Sequence, residues 1–322
     1  MELKKRNVLI TFTVLSLAAC IMMGFQYVGS IAYFEIEAFL NKNQEAGVLR
    51  WLSWLFHSSW TDMLVQYVFL LGASYVPAYL LICWLPKDQR KQAKLSGKDI
   101  LVCTVASMGM GYILNLAGTF INYLISLVTG TSFLDMNPVV EMTQELSPSM
   151  IIYSCLLGPF MEELFCRGFL LKRARVFGDW TAVVFTAIVF GLMHGNIAQF
   201  LYGTGIGLIL GYVAVKTNGI KYTVLIHMLV NTYNMALAWG ESVIWNIGAE
   251  LLMAAYSLAI LINMVVLIIG GVILIVKYGR IWYRQMLYHN GPDSLNRIFV
   301  YLNPGFAFYV VLCVVEFLSY LV

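Results

Sequence analysis

Long apolar runs separated by short polar stretches dominate the chain. The runs cover 8–34, 61–85, 100–128, 149–171, 180–195, 199–216, 220–239, 251–276 and 298–322. A helix needs about 20 mostly apolar residues to cross a bilayer. The pattern therefore predicts an all-α, polytopic integral membrane helix bundle with about 8–9 transmembrane helices. The runs at 180–195 and 199–216 are short, and tilt or partial re-entry is expected of them. Asn303-Pro304-Gly305 interrupts the last run, and an interfacial stretch there would leave about eight spans.

Charge orients the bundle. Lys4-Lys5-Arg6, Lys87–Lys98, Lys172–Arg175, Lys216 with Lys221, and Lys277–Arg284 all fall on connections at one side. Positive residues mark the cytoplasmic side, so a multi-pass cell-membrane protein with a cytoplasmic N-terminus is expected. The opposite connections, 35–60, 130–148 and 240–250, carry Glu35, Glu37, Asp135, Glu141, Glu145, Glu241 and Glu250. Charged residues are only 11% of the chain, against about 25% in soluble domains, so the lipid bilayer is its main surrounding. A net charge of +3 gives no reason to expect nucleic acid as a partner. The six cysteines lie in or beside apolar runs without C-x-x-C spacing and read as small core residues. Leu17-Ala18-Ala19-Cys20 is like a lipoprotein cleavage box, but the run continues past Cys20 and reads as the first span. Gly203, Gly207 and Gly211 share one helix face, which predicts close packing against a neighbouring backbone.

Against this background, three charges inside one apolar run stand out. Glu162 and Glu163 are adjacent, and Arg167 follows Glu163 by four residues. A charged side chain in hydrocarbon costs roughly 2.5–3.5 kcal/mol on insertion scales, so such residues mark function. Glu163 and Arg167 share a helix face in the favoured acid-first order. Glu162 points about 100° away around the same helix and is left to face something else. Of the four histidines, His57 and His289 lie among polar residues in connections and read as surface groups. His194 ends an apolar run one turn after Phe190, and His227 shares a face with Asn231. With about 1.5 Å of rise per residue, Glu162 and Asn231 each lie about 15 Å from the nearest basic cluster, His227 about 9 Å and His194 about 21 Å. All four can meet near mid-membrane, and a site open to the cytoplasm is expected. A carboxylate, two imidazoles and an amide at one level can make a hydrolytic site.

Glu162-Glu163-x-x-x-Arg167, Phe190-x-x-x-His194 and His227-x-x-x-Asn231, in that order, resemble the three motifs of the CAAX prenyl protease and bacteriocin-processing (CPBP, or Abi) family of intramembrane proteases. The resemblance covers roughly 149–240 and no motif residue is missing. It divides the chain into N-terminal transmembrane helices at 1–148, a catalytic core at 149–240 and C-terminal transmembrane helices at 241–322. It implies a helical membrane core and an endopeptidase whose substrate is a membrane-associated peptide or protein, prenylated and CAAX-like or of bacteriocin type. The family is often labelled metalloprotease, and a metal-free glutamate mechanism is also proposed for it.

The chemistry expected of these residues is hydrolysis by an activated water. Glu162 is the general base, its apolar setting making the carboxylate more basic. His194 holds the water and passes a proton to the leaving amine. His227 and Asn231 donate hydrogen bonds to the oxyanion, while Glu163 and Arg167 orient the helix, receipt of a substrate carboxylate being the alternative role of Arg167. No cofactor is favoured. The alternative places Zn2+ on Glu162, His194 and His227 with an open fourth position. H-E-x-x-H is absent, and Asn231 beside His227 fits an oxyanion hole more simply. A proton-coupled transporter and a non-proteolytic membrane binding partner are the readings from other classes.

Overall fold

The computed structural model describes residues 2–43, 47–132, 136–137, 146–287 and 297–319. His289, Asp135, Glu141 and Glu145 lie outside them. The described residues form helices and no strands. In chain order these are α1 (Glu2–Lys42), α2 (Gly47–Phe56), α3 (Ser59–Ile82), α4 (Gly97–Thr129), α5 (Pro148–Phe177), α6 (Asp179–Leu192), α7 (Ile197–Thr217), α8 (Lys221–Ile247), α9 (Glu250–Leu287) and α10 (Pro304–Ser319). Helix is the outcome that apolar runs of this length dictate, because in hydrocarbon each backbone N–H and C=O must find its partner within the segment.

Among the described residues, six helices are long and apolar enough to cross a membrane: α1, α3, α4, α5, α7 and α9. α6 and α10 are apolar but shorter, and α8 carries His227, Asn231 and Asn234 along its length. The helix ends follow local chemistry. Ser96, Ser147 and Asn196 accept from backbone N–H groups three residues on, each capping the helix that follows. Asn303-Pro304 was expected to break the last run and instead starts α10. The Asn303 side-chain oxygen Oδ1 accepts from Phe306 N at 2.8 Å, and proline is well placed where its missing N–H would be unsatisfied anyway. α1 runs through Glu35 and Glu37 to Lys42, beyond the apolar run, and the 35–60 connection contains the ten-residue α2.

One buried core runs from Val8 to Cys313. Its tightest seam is the α6–α7 hairpin. A methyl group on Gly207 would lie 3.1 Å from Ala187 Cα, one on Gly211 2.8 Å from Val183 Cγ1 and one on Gly203 3.3 Å from Gly191 Cα. The glycine face of α7 is therefore the surface on which α6 lies, as its spacing predicts.

The basic connections meet at one end. Asp88 N donates to Lys172 O at 2.8 Å and Ala93 N to Thr217 O at 2.9 Å. Lys216 pairs with Asp99 at 3.1 Å, and Tyr212 donates to Gln285 at 2.8 Å. Arg90 grips Asp179 through two bonds of 2.8 and 3.0 Å, and Arg175 joins Asp179, Asp88 and Asn218, each at 2.8 Å. Burial alone would lower the Arg90 pKa, but hydrogen bonds and charge from Asp179 and Asp88 outweigh it and hold it above the ordinary arginine value. This network ties α5, α6 and α7 at one end and fixes the depth at which their polar residues face one another.

Candidate active site

α5 carries both carboxylates and is not a uniform helix. It is α-helical at Pro148–Ile152, π-helical at Tyr153–Leu157, α-helical at Gly158–Glu163 and π-helical again at Leu164–Leu171. The first change has a cause in the sequence. Gly158 N donates to Tyr153 O, five residues back. Continuing that pattern would need an N–H on residue 159 for Ser154 O, and Pro159 has none. The orphaned carbonyl is capped from α8: Asn231 Nδ2 donates to Ser154 O at 2.9 Å. Short π-helical pieces inside α-helices are frequent at functional sites.

The adjacent acids face different surroundings. Glu163 is fully buried and accepts from Arg167 Nη1 at 2.7 Å. Arg167 also donates to Gly207 O at 3.2 Å and stacks on Phe190, 4.5 Å from the ring centroid. Glu162 instead keeps 18% of its side chain exposed and lines a cavity.

The two imidazoles reach the same cavity from the turn after α6 and from α8. His227 Nδ1 lies 3.1 Å from Glu163 Oε1, and its Nε2 lies 3.7 Å from Glu162 Oε2. His194 Nδ1 lies 2.8 Å from Phe190 O. A carboxylate and a carbonyl only accept, so both rings carry the hydrogen on Nδ1 and turn Nε2 away from those partners. Phe190 stands edge-on to both rings, with centroids 5.1 Å from His194 and 5.7 Å from His227. It is thus a spacer for two imidazoles and a platform for the Arg167 guanidinium. Glu163 serves both Arg167 and His227, where the spacing alone had assigned it to Arg167.

The cavity has a volume of about 580 Å³. Glu162, His194, His227 and Asn231 all line it, so the structure brings the four expected site residues to one space, with Glu163 and Arg167 packed behind them. Among the described residues no three His, Cys, Asp or Glu side chains are grouped to hold a metal ion. Two features escaped the motif reading. Ser154 was invisible because a capped carbonyl depends on the backbone and not on the side chain. Glu316, the acid in the last apolar run, packs on the turn that carries His194. A methyl group on Gly195, whose φ is +67°, would collide with the Glu316 carboxyl carbon. A lone acid in an apolar run was the available signal for it.

Residues 144–233 match the family model described as type II CAAX prenyl endopeptidase Rce1-like. A curated protein of Bacillus subtilis (strain 168), titled "Putative membrane peptidase YdiL", is 28% identical over 90 residues, which are 27% of this chain and 36% of that protein. The chain thus spans about a third of the length of the relative it matches. No solved structure matches. The family resemblance carried by the three motifs is borne out over 144–233, the stretch that holds every motif residue.

Proposed function

We propose that this chain, with its Rce1-like segment at 144–233, is an intramembrane endopeptidase that cleaves a membrane-associated peptide or protein with an activated water. One observation carries the reading: a carboxylate, two imidazoles and an amide from α5, the turn after α6 and α8 line one cavity, over a sealed Glu163–Arg167 pair.

Each residue has a task that its contacts allow. Glu162 takes a proton from water, and the hydroxide forms a bond to the peptide carbonyl carbon. The oxyanion that results accepts from the second Nδ2 hydrogen of Asn231, the first being held by Ser154 O. His227, oriented by the Glu163 carboxylate on Nδ1, presents Nε2 to the cavity 3.7 Å from Glu162. His194, oriented by Phe190 O, relays the proton from Glu162 to the leaving nitrogen as the C–N bond breaks. The substrate, whether prenylated, of bacteriocin type or another membrane peptide, belongs to this proposal, as does a basic end facing the cytoplasm.

Zinc is the competing reading. Both rings are oriented through Nδ1 by an acceptor, as metal-bound histidines usually are. The three candidate ligands are not grouped to hold an ion, however, and no step here passes through one. The test pairs peptide cleavage with elemental analysis of the same purified sample. Cleavage lost in Glu162→Gln, with substoichiometric zinc and activity retained after chelation, is expected. Activity lost to chelator and restored by zinc would make Glu162, His194 and His227 ligands. Proton transport by the purified protein without any peptide turnover would replace the protease reading.

A further inference from the structure

The cavity does not extend equally toward both ends of the bundle. With about 1.5 Å of rise per residue, Glu162 lies about 15 Å along α5 from Lys172, Gly158 about 21 Å and Ser154 about 27 Å. On α8, Asn231, Asn234 and Ala238 stand about 15, 20 and 26 Å from Lys221. On α4, Ser107 and Asn115 stand about 15 and 27 Å from Gly97, and on α7, Ile206 and Gln199 stand about 15 and 26 Å from Lys216. These residues all line the cavity. They sit level with Glu162 or farther from the basic end, and Asn137, on the connection beyond α4, lines it too.

Toward the basic end the path is filled. The Glu163 and Arg167 side chains have no exposure, Cys166 and Leu170 are fully buried, and Phe190 is 2% exposed. Arg167 crosses to Gly207 O on α7 and closes the space between α5 and α7. The reactive set is therefore the floor of a passage that leads away from the basic clusters.

The walls suit a peptide backbone. Glu162 is the one Asp, Glu, Lys or Arg among the lining residues described. Asn115 contributes a side-chain amide, which both donates and accepts, and Asn231 keeps its Oδ1 and second Nδ2 hydrogen, whereas Asn234 is held by Tyr112 and Val230 O and Gln199 Oε1 accepts from Asn196. An extended chain that leaves water needs such partners for its own N–H and C=O groups. The roughly 12 Å between the levels of Glu162 and Ser154 admits about four extended residues at ~3.3 Å each.

We propose that substrate enters from the end of the bundle remote from the basic clusters, as an extended, uncharged polypeptide segment that reaches Glu162 through this passage. This rests on the proteolytic reading and reverses the cytoplasmic opening that the charge pattern suggested. If the basic end faces the cytoplasm, the segment arrives from the outer side.

Side-specific thiol labelling tests it in intact cells and inverted vesicles. Cys83 is the exposed cysteine among six, so Cys83→Ser supplies the background. Ala238→Cys and Asn115→Cys probe the passage, and Gln92→Cys and Gly248→Cys report the two ends. Positions 238 and 115 should react with an impermeant maleimide from the same side as position 248. A tagged peptide rich in serine, alanine and asparagine should slow that reaction at least several-fold. Labelling from the side of position 92 would overturn the entry route. Equal labelling with and without the peptide would overturn the substrate class. Repeating the labelling in Glu162→Gln keeps the test independent of turnover, so failed cleavage by the unmodified protein would count against the protease reading alone.

Discussion

Two halves of α5 differ by one residue in sequence and by nearly everything in surroundings. On the half facing the basic end, Glu163 is locked between Arg167 at 2.7 Å and His227 at 3.1 Å, with no exposure. On the half facing the cavity, Glu162 has 18% exposure and stands 3.7 Å from His227 Nε2. A buried charge with its partners in place is a fixed part of the frame, because losing a partner strands it in a medium that cannot solvate it. A carboxylate at a cavity wall stays available to water and substrate. His227 joins the halves, with one nitrogen on each acid. The comparison teaches that adjacency in sequence does not make two acids a catalytic pair here. One acid is held among its partners while the other stays open to the cavity.

The sharpest way to break this comparison is Glu162→Gln. Turnover should fall by about 10²–10⁴, the usual contribution of a positioned base, with the melting temperature nearly unchanged. Retained cleavage would mean that the cavity-side acid is not the base. Arg167→Ala should act on the opposite half, lowering stability by about 3–5 kcal/mol because Glu163 is left buried and unpaired. Thermal unfolding in detergent measures it, and an unchanged midpoint would remove the Glu163–Arg167 pair from the frame.

Asn231→Ala should touch both halves. Loss of an oxyanion donor predicts a ~10²–10³ fall in kcat, and the uncapped Ser154 carbonyl predicts a stability loss of about 1–3 kcal/mol. A stability loss with kcat preserved would assign Asn231 to the frame alone. The smallest expected effect is that of Gly195→Ala. A positive φ costs an alanine about 1–2 kcal/mol, and Glu316 must also move aside. Stability should drop modestly while kcat drops with it, because the same turn holds His194. A drop in stability at full turnover would separate that turn from catalysis.

The helical membrane class, the glycine face of α7 and the Glu163–Arg167 pair were all legible in the sequence. Each depends on periodicity within one segment, and a helix repeats its geometry whatever surrounds it. Glu162, His194, His227 and Asn231 were legible as types and spacings on separate helices. Tertiary structure alone decided how they are joined. Only packing shows that Glu163 reaches His227, that Phe190 separates two imidazoles, and that Asn231 caps a carbonyl orphaned by Pro159. The direction of the passage and the contact of Glu316 with the His194 turn belong to the same class. The physical reason is that a residue's local spacing sets which way it points on its own helix, while depth, rotation and crossing are settled by close-packed contacts between helices distant in sequence.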